Sequence, residues 1–170
     1  MMLSTHFVEN FRALTTLGEP GRILALDVGA KRIGLALSDP LGLTAQGLPT
    51  MDRTNIRDDL ERLRLLASQR EVGLLLIGHP KTLSGREGRQ AASVRDFAHR
   101  LAARTGLPLQ FWDERLTSVE AERRLREQGL RTRAGRKGAV DRLAAVLLLE
   151  SYLLSRQLHI RRSEACDDPL

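Results

Sequence analysis

The sequence predicts an α/β fold, a mixed five-stranded sheet with helices on both faces. Three observations carry that expectation. Two apolar runs near the start, Ile23–Leu26 and Ile33–Leu37, are separated by a short turn and read as an antiparallel hairpin. Apolar runs then alternate with segments of helical period, the pattern of helices packed over a sheet. The run Val72–Ile77 is short and almost wholly apolar, as a central strand covered on both faces must be. The chain has 170 residues, enough for one core and little more.

The elements follow in order. Residues 1–20 read as a flexible leader, punctuated by Gly18-Glu19-Pro20-Gly21, before a domain spanning 21–157. Asp27 ends the first strand. In the turn Val28–Arg32, Gly29 supplies unusual backbone angles, and Gly29 and Gly34 permit tight backbone approach. A third strand is expected near Gln46–Thr50. Asn55–Gln69 carries Ile56, Leu60, Leu63 and Ala67 at helical spacing, and Gln90–Arg104 carries Val94, Phe97 and Leu101. Between them, after strand Val72–Ile77, Gly78–Gly88 reads as a loop. Gly106 and Pro108 close the second helix, and Leu109–Trp112 is the last strand, ending at Asp113-Glu114. Thr117 followed by Glu120 fits a capping box for a helix to about Gln128. Gly129–Gly138 reads as a basic loop and Ala139 to about Arg156 as the last helix, with a frayed tail over 158–170.

Composition narrows the function classes. Lys and Arg total 27 against 21 Asp and Glu, and the formal charge of +6 permits a polyanionic partner. Aromatic residues make up 4%, so the core is built from Leu, Ile, Val and Ala, and stacked platforms for single-stranded bases are not expected. Cys166 is the only cysteine, which excludes an internal disulfide and a cysteine-rich metal cluster. The apolar stretch Leu143–Leu149 is far short of a membrane span, and the first 17 residues lack a secretory pattern. A cytoplasmic protein without membrane association is the expectation.

Three acids stand where chemistry is readily built. Asp27 ends the first strand, Glu114 follows the last, and Asp141 begins the last helix. Ligands of open α/β sheets collect beyond the carboxyl ends of strands. Asp27 and Glu114 meet there if their strands are neighbours, and Asp141 joins them if its helix packs across that edge. Converging carboxylates repel one another and call for cations, and all-oxygen ligands suit Mg²⁺ or Mn²⁺. Two such ions activate a water and stabilise a leaving phosphate oxygen. The same acids equally fit helix caps and salt-bridge partners.

A family resemblance bears on that choice. The segment Leu26-Asp27-Val28-Gly29-Ala30-Lys31-Arg32-Ile33-Gly34-Leu35-Ala36 resembles the opening motif of the YqgF family, whose members have also been called Holliday junction resolvases. Ile77–Gly88, Asp113–Ala121 and Lys137–Leu149 resemble three further motifs in the family order, so the likeness runs from about residue 22 to 155. The resemblance implies a ribonuclease H-like fold and phosphodiester hydrolysis. It implies Asp27, Glu114 and Asp141 as catalytic residues and ligands of one or two Mg²⁺ or Mn²⁺ ions. Bacterial members are linked to maturation of the 5′ end of 16S ribosomal RNA, which points to precursor ribosomal RNA as substrate, with branched DNA as the alternative. The chain departs from the family at His79-Pro80, where members often carry Leu before the proline, and at Ser84-Gly85, where they often carry Asp.

Around the acids, Lys31, Arg32, Arg86 and Arg115 are candidate phosphate contacts, as are Arg131, Arg133, Arg136 and Lys137 in the acid-free basic stretch. His79 is a tempting general base, but metal-bound water needs none. Asp27-Val28-Gly29 also resembles the first phosphate motif of sugar kinases and actin-like proteins, whose two large lobes do not fit this length. A non-enzymatic nucleic-acid or ribosome-binding protein is a further alternative, and the chain acts as a monomer or a homodimer.

Overall fold

The computed structural model describes residues 21–79, 88–113 and 133–166, with the backbone course alone at 79, 113, 133–137 and 158–166. Five strands, β1 (Arg22–Val28), β2 (Arg32–Ser38), β3 (Ala45–Asp52), β4 (Val72–His79) and β5 (Leu109–Asp113), form one sheet in the order β3-β2-β1-β4-β5. The helices are α1 (Ile56–Gln69), α2 (Arg89–Thr105) and α3 (Arg133–Cys166). β1, β2 and β3 pair antiparallel, while β4 pairs parallel with both β1 and β5. The expected mixed sheet of five strands is therefore present, with α1 and α2 on one face and α3 on the other.

The pleat sorts the side chains. Leu24, Leu26 and Val28 of β1 join Ile33, Leu35, Leu75 and Ile77 under α1 and α2, meeting Leu60, Leu63, Val94, Phe97 and Leu101. Ile23 and Ala25 of β1 join Ala36, Leu74 and Leu76 under α3, meeting Ala145, Leu148, Leu149, Tyr152 and Leu153. Asp27 is in phase with Ile23 and Ala25, so strand alternation turns it to the α3 face. Gly34 is in phase with Ala36 and turns the same way.

Local signals set the boundaries. Asn55 caps α1, its side chain accepting a hydrogen bond from the Asp58 backbone N–H. Gly106 ends α2 in the left-handed region at φ 71°. Asp39 closes the β2–β3 turn by accepting from the backbone N–H groups of Thr44, Leu43 and Leu41, and these bonds lower its pKa.

α3 departs from the expected bounds at both ends. It begins at Arg133 rather than Ala139 and continues to Cys166 rather than stopping near Arg156. Two glycines and three cations in its first six residues argue for a loop on propensity and dipole grounds. Packing on β2 and β3 overrides them. At the other end, no glycine or proline interrupts the sequence from Ala139 to Cys166. The expected helix from Thr117 to Gln128 lies outside the described residues, as does the loop segment 80–87.

An exposed charge cluster joins α1 to α2. Glu61 accepts from Arg64 at 2.7 Å and from Arg104 at 3.0 Å. Hydrogen bonds from Arg64, then Arg104, pull its pKa down from 4.5 to about 2. A depressed carboxylate stabilises the fold above its unfolded value and loses that contribution as pH falls through the folded one. The melting difference between wild type and Glu61→Gln is therefore expected in full at pH 6 and should narrow from about pH 4.5 towards pH 2. A difference constant over that range, followed by circular dichroism, would contradict the assignment. Its size is small, because the pair is solvent-screened.

Candidate active site

The carboxyl ends of β1, β4 and β5 lie along one edge, because the three strands run parallel. Leu26 pairs with Ile77, and Ile77 with Phe111. One residue further along, Asp27, Gly78 and Trp112 form the next level. The sequence-based condition that β1 and β5 be neighbours is not met, because β4 separates them. Two strand spacings amount to roughly 10 Å. The intervening position is Gly78, which puts no side chain into that gap.

Asp141 reaches the same place through a close approach of helix to strand. Gly34 is the cross-strand partner of Asp27. A Cβ added to Gly34 would overlap the carbonyl oxygen of Asp141 and stand 2.5 Å from its carbonyl carbon. Only a glycine lets α3 rest so closely on the β2 backbone, as the sequence reading of Gly34 expected. Gly47 repeats the device on β3, where a Cβ would stand 2.7 Å from Cγ of Arg142. Thr50 adds a tether, its hydroxyl donating to the Gly138 carbonyl at 2.7 Å. These contacts seat the early part of α3 and set Asp141 against Gly34, the cross-strand partner of Asp27.

Arg32 donates from Nε to Oδ2 of Asp141 at 2.9 Å, with the two side chains 30% and 29% exposed. The neighbouring Lys31 is exposed. The turn that carries both is tight, with the Gly29 N–H donating to the Arg32 carbonyl at 2.9 Å.

Arg53, which sequence reasoning missed, braces this turn. Its backbone N–H donates to the Lys31 carbonyl and its Nη1 to the Gly29 carbonyl, each at 3.0 Å. Its Nε donates to Asp59 at 3.3 Å, and the guanidinium lies 5.0 Å from the centre of the Phe97 ring. Asp59 is buried and also accepts from the Thr54 N–H. A signal existed: Asp59 sits on the apolar stripe of α1, where an acid demands a partner.

The end of β5 is tied to α3. Trp112 Nε1 donates to the Ser151 hydroxyl at 2.6 Å, and its ring meets Tyr152 edge-on at 5.3 Å. The Tyr152 hydroxyl donates to Gln110 Oε1 at 3.0 Å, and burial raises its pKa, keeping it a donor. The strand that leads to Glu114 is thus locked to the helix that carries Asp141.

Glu114, Arg86, Arg115 and Arg131 lie outside the described residues, and Arg133, Arg136 and Lys137 fall in the first turns of α3. Of the sequence-derived set, Arg32 bonds to Asp141, Asp141 rests against Gly34, the cross-strand partner of Asp27, and Lys31 lies in the turn next to Arg32. Among the described residues, no three His, Cys, Asp or Glu side chains gather as a metal set. No helix among them is long and apolar enough to cross a membrane.

A hairpin-led mixed sheet in this order, with helices on both faces, defines a protein of the ribonuclease H-like class. Within it the chain belongs to the RuvX family, described as Holliday junction resolvase, whose pattern matches residues 21–155. This is the YqgF family that the sequence motifs resemble. A relative from Koribacter versatilis, named "Putative pre-16S rRNA nuclease", is 51% identical over 136 residues, covering 80% of this chain and 88% of the relative. One of the same name from Thermoanaerobacter pseudethanolicus is 45% identical, covering 80% and 98%. In fold, the chain resembles T. thermophilus RuvC in complex with a Holliday junction substrate, with TM-score 0.55, 13% identity and coverage of 81% and 96%. It also resembles the yeast mitochondrial Holliday junction resolvase, with TM-score 0.51, 11% identity and coverage of 88% and 85%.

Proposed function

We propose that the chain is a divalent-metal-dependent nuclease that trims the 5′ end of precursor 16S ribosomal RNA, with Asp27, Glu114 and Asp141 as its catalytic carboxylates. The observation that carries this reading is the seating of Asp141 on Gly34, directly across the strand from Asp27. In sequence Glu114 comes two residues after Trp112, which faces α3 at the end of β5. Continued strand alternation would turn it to the side of Asp27 and Asp141.

The donor chemistry fits the metal. Carboxylate oxygens suit Mg²⁺ or Mn²⁺, and Asp141 already takes a cationic partner in Arg32. Asp27, Glu114 and Asp141 would hold one or two ions. When bound, such ions supply an activated water and offset charge on the phosphodiester. The chain itself positions the substrate. Lys31 is exposed in the turn after β1 and Arg32 reaches Asp141, and in this reading Arg86 and Arg115 are further phosphate contacts. In this reading Arg131, Arg133, Arg136 and Lys137 add further contacts to the nucleic-acid backbone. Contacts of this kind fix the backbone of a nucleic acid and leave selection to strand shape.

The names of the relatives support precursor ribosomal RNA as substrate and a cytoplasmic place of work. The family description supports a second reading, a structure-specific endonuclease for four-way DNA junctions. Trimming can use one set of acids and so is open to a monomer, whereas paired symmetric cuts call for a homodimer.

One experiment separates the readings. The purified protein is incubated with precursor 16S RNA, matched single-stranded DNA and a four-way junction, in Mg²⁺ and again in Mn²⁺. Asp27→Asn serves as the contamination control. Site-specific trimming of the RNA, absent in the control, is expected. Paired junction cuts with negligible RNA cleavage would overturn the assignment in favour of the second reading.

A further inference from the structure

We infer that Arg32 is an internal counter-ion of the acidic site, held on Asp141 until a divalent cation displaces it. This rests on the metal-site reading above and adds how loading of that site is controlled. Arg32 donates from Nε to Asp141 Oδ2 at 2.9 Å, across 109 residues of sequence.

Placing Asp141 does not require that bond. Its backbone is fixed by the close approach to Gly34, and the helix is tethered further by Thr50 to Gly138. What the guanidinium supplies is charge. Asp27 is the cross-strand partner of Gly34, on which the Asp141 backbone rests, so two acidic residues stand at this end of the sheet. The Arg32 guanidinium offsets part of the negative charge there.

A divalent ion offsets it more fully but needs the same oxygen. Arg32 competes by occupying Oδ2 and by repelling a second cation. The pair is about 30% exposed on both sides, so ion and side chain can exchange through solvent. The backbone beneath stays in place, because Arg53 holds the carbonyls of Gly29 and Lys31. Exchange then costs a side-chain rotation and no rearrangement of the fold.

The test is a Mn²⁺ titration, read by the spin-resonance signal of the free ion, on wild type, Arg32→Gln and Arg32→Lys at one pH and salt. Arg32→Gln should bind Mn²⁺ about three- to fivefold tighter, the scale of one competing half-exposed ion pair. Arg32→Lys, which keeps the charge, should stay within about twofold of wild type. Without metal, Arg32→Gln should melt below wild type, and saturating Mn²⁺ should narrow that gap. Arg32→Met, which keeps the aliphatic stem, replaces the Gln variant if the latter does not fold. Unchanged or weaker Mn²⁺ binding in the neutral variant would overturn the counter-ion role while leaving the metal site intact. A folded wild type that takes up no Mn²⁺ would overturn the metal reading and this inference with it.

Discussion

Asp27→Asn folds normally and loses cleavage by at least about a thousandfold, equivalent to roughly 4 kcal/mol of barrier. The expectation follows from where Asp27 stands. It is near the carboxyl end of β1, a strand held in place by the burial of Ile23, Leu24, Ala25, Leu26 and Val28 in the two cores. Asparagine has nearly the same shape and keeps one oxygen, but it cannot supply the negative charge a divalent ion needs. The apolar residues of β1 that hold the strand are untouched, so the variant should melt close to wild type without metal. Cleavage rates in Mg²⁺ and Mn²⁺, together with thermal melts, read both effects. Full activity from the folded variant in both ions would remove Asp27 from the mechanism.

Gly34→Ala should disable the site from beneath. The new Cβ would overlap the Asp141 carbonyl and stand 3.3 Å from its Cα, against backbone that cannot rotate away. The early part of α3 must retreat, at a cost of about 1–3 kcal/mol for overpacking. A shift of about 1 Å at Asp141 is enough to lower turnover about a hundredfold. Gly106→Ala is the matched control. Gly106 also needs glycine, at φ 71°, but a Cβ there meets nothing within 4 Å and lies at the far end of α2. It should cost about 1 kcal/mol of stability and leave turnover unchanged. Equal loss of turnover in the two variants, at equal loss of stability, would show that Gly34 acts through stability alone.

Much of this frame is legible in the sequence. The five strands and the first two helices follow from apolar runs and helical spacing, because burial imposes those periods directly. Asp27 stands out in the sequence as a charged residue at the end of an apolar run, a position that a salt-bridge partner fits as well as a metal ligand. Gly34 is legible as a close approach, though not what approaches it. Sheet order is another matter: that β4 lies between β1 and β5 depends on the crossover, which no local pattern encodes. The start of α3 is hidden for a physical reason. Its glycines and cations oppose a helix locally, and the compensating contacts with Gly34, Gly47 and Thr50 come from about 90 to 110 residues away. Arg32 reads as a free phosphate contact for the same cause, since its partner Asp141 is remote in sequence. The Arg53 brace on Gly29 joins elements that only the folded sheet brings together.

The most direct measurement is a crystal structure of the protein soaked in Mn²⁺, with the ions located by anomalous scattering. One or two peaks are expected between the carboxylates of Asp27, Glu114 and Asp141, with Arg32 withdrawn from Asp141 Oδ2. Glu114 directed to another surface, or no peak between Asp27 and Asp141 at saturating Mn²⁺, would contradict the three-carboxylate site.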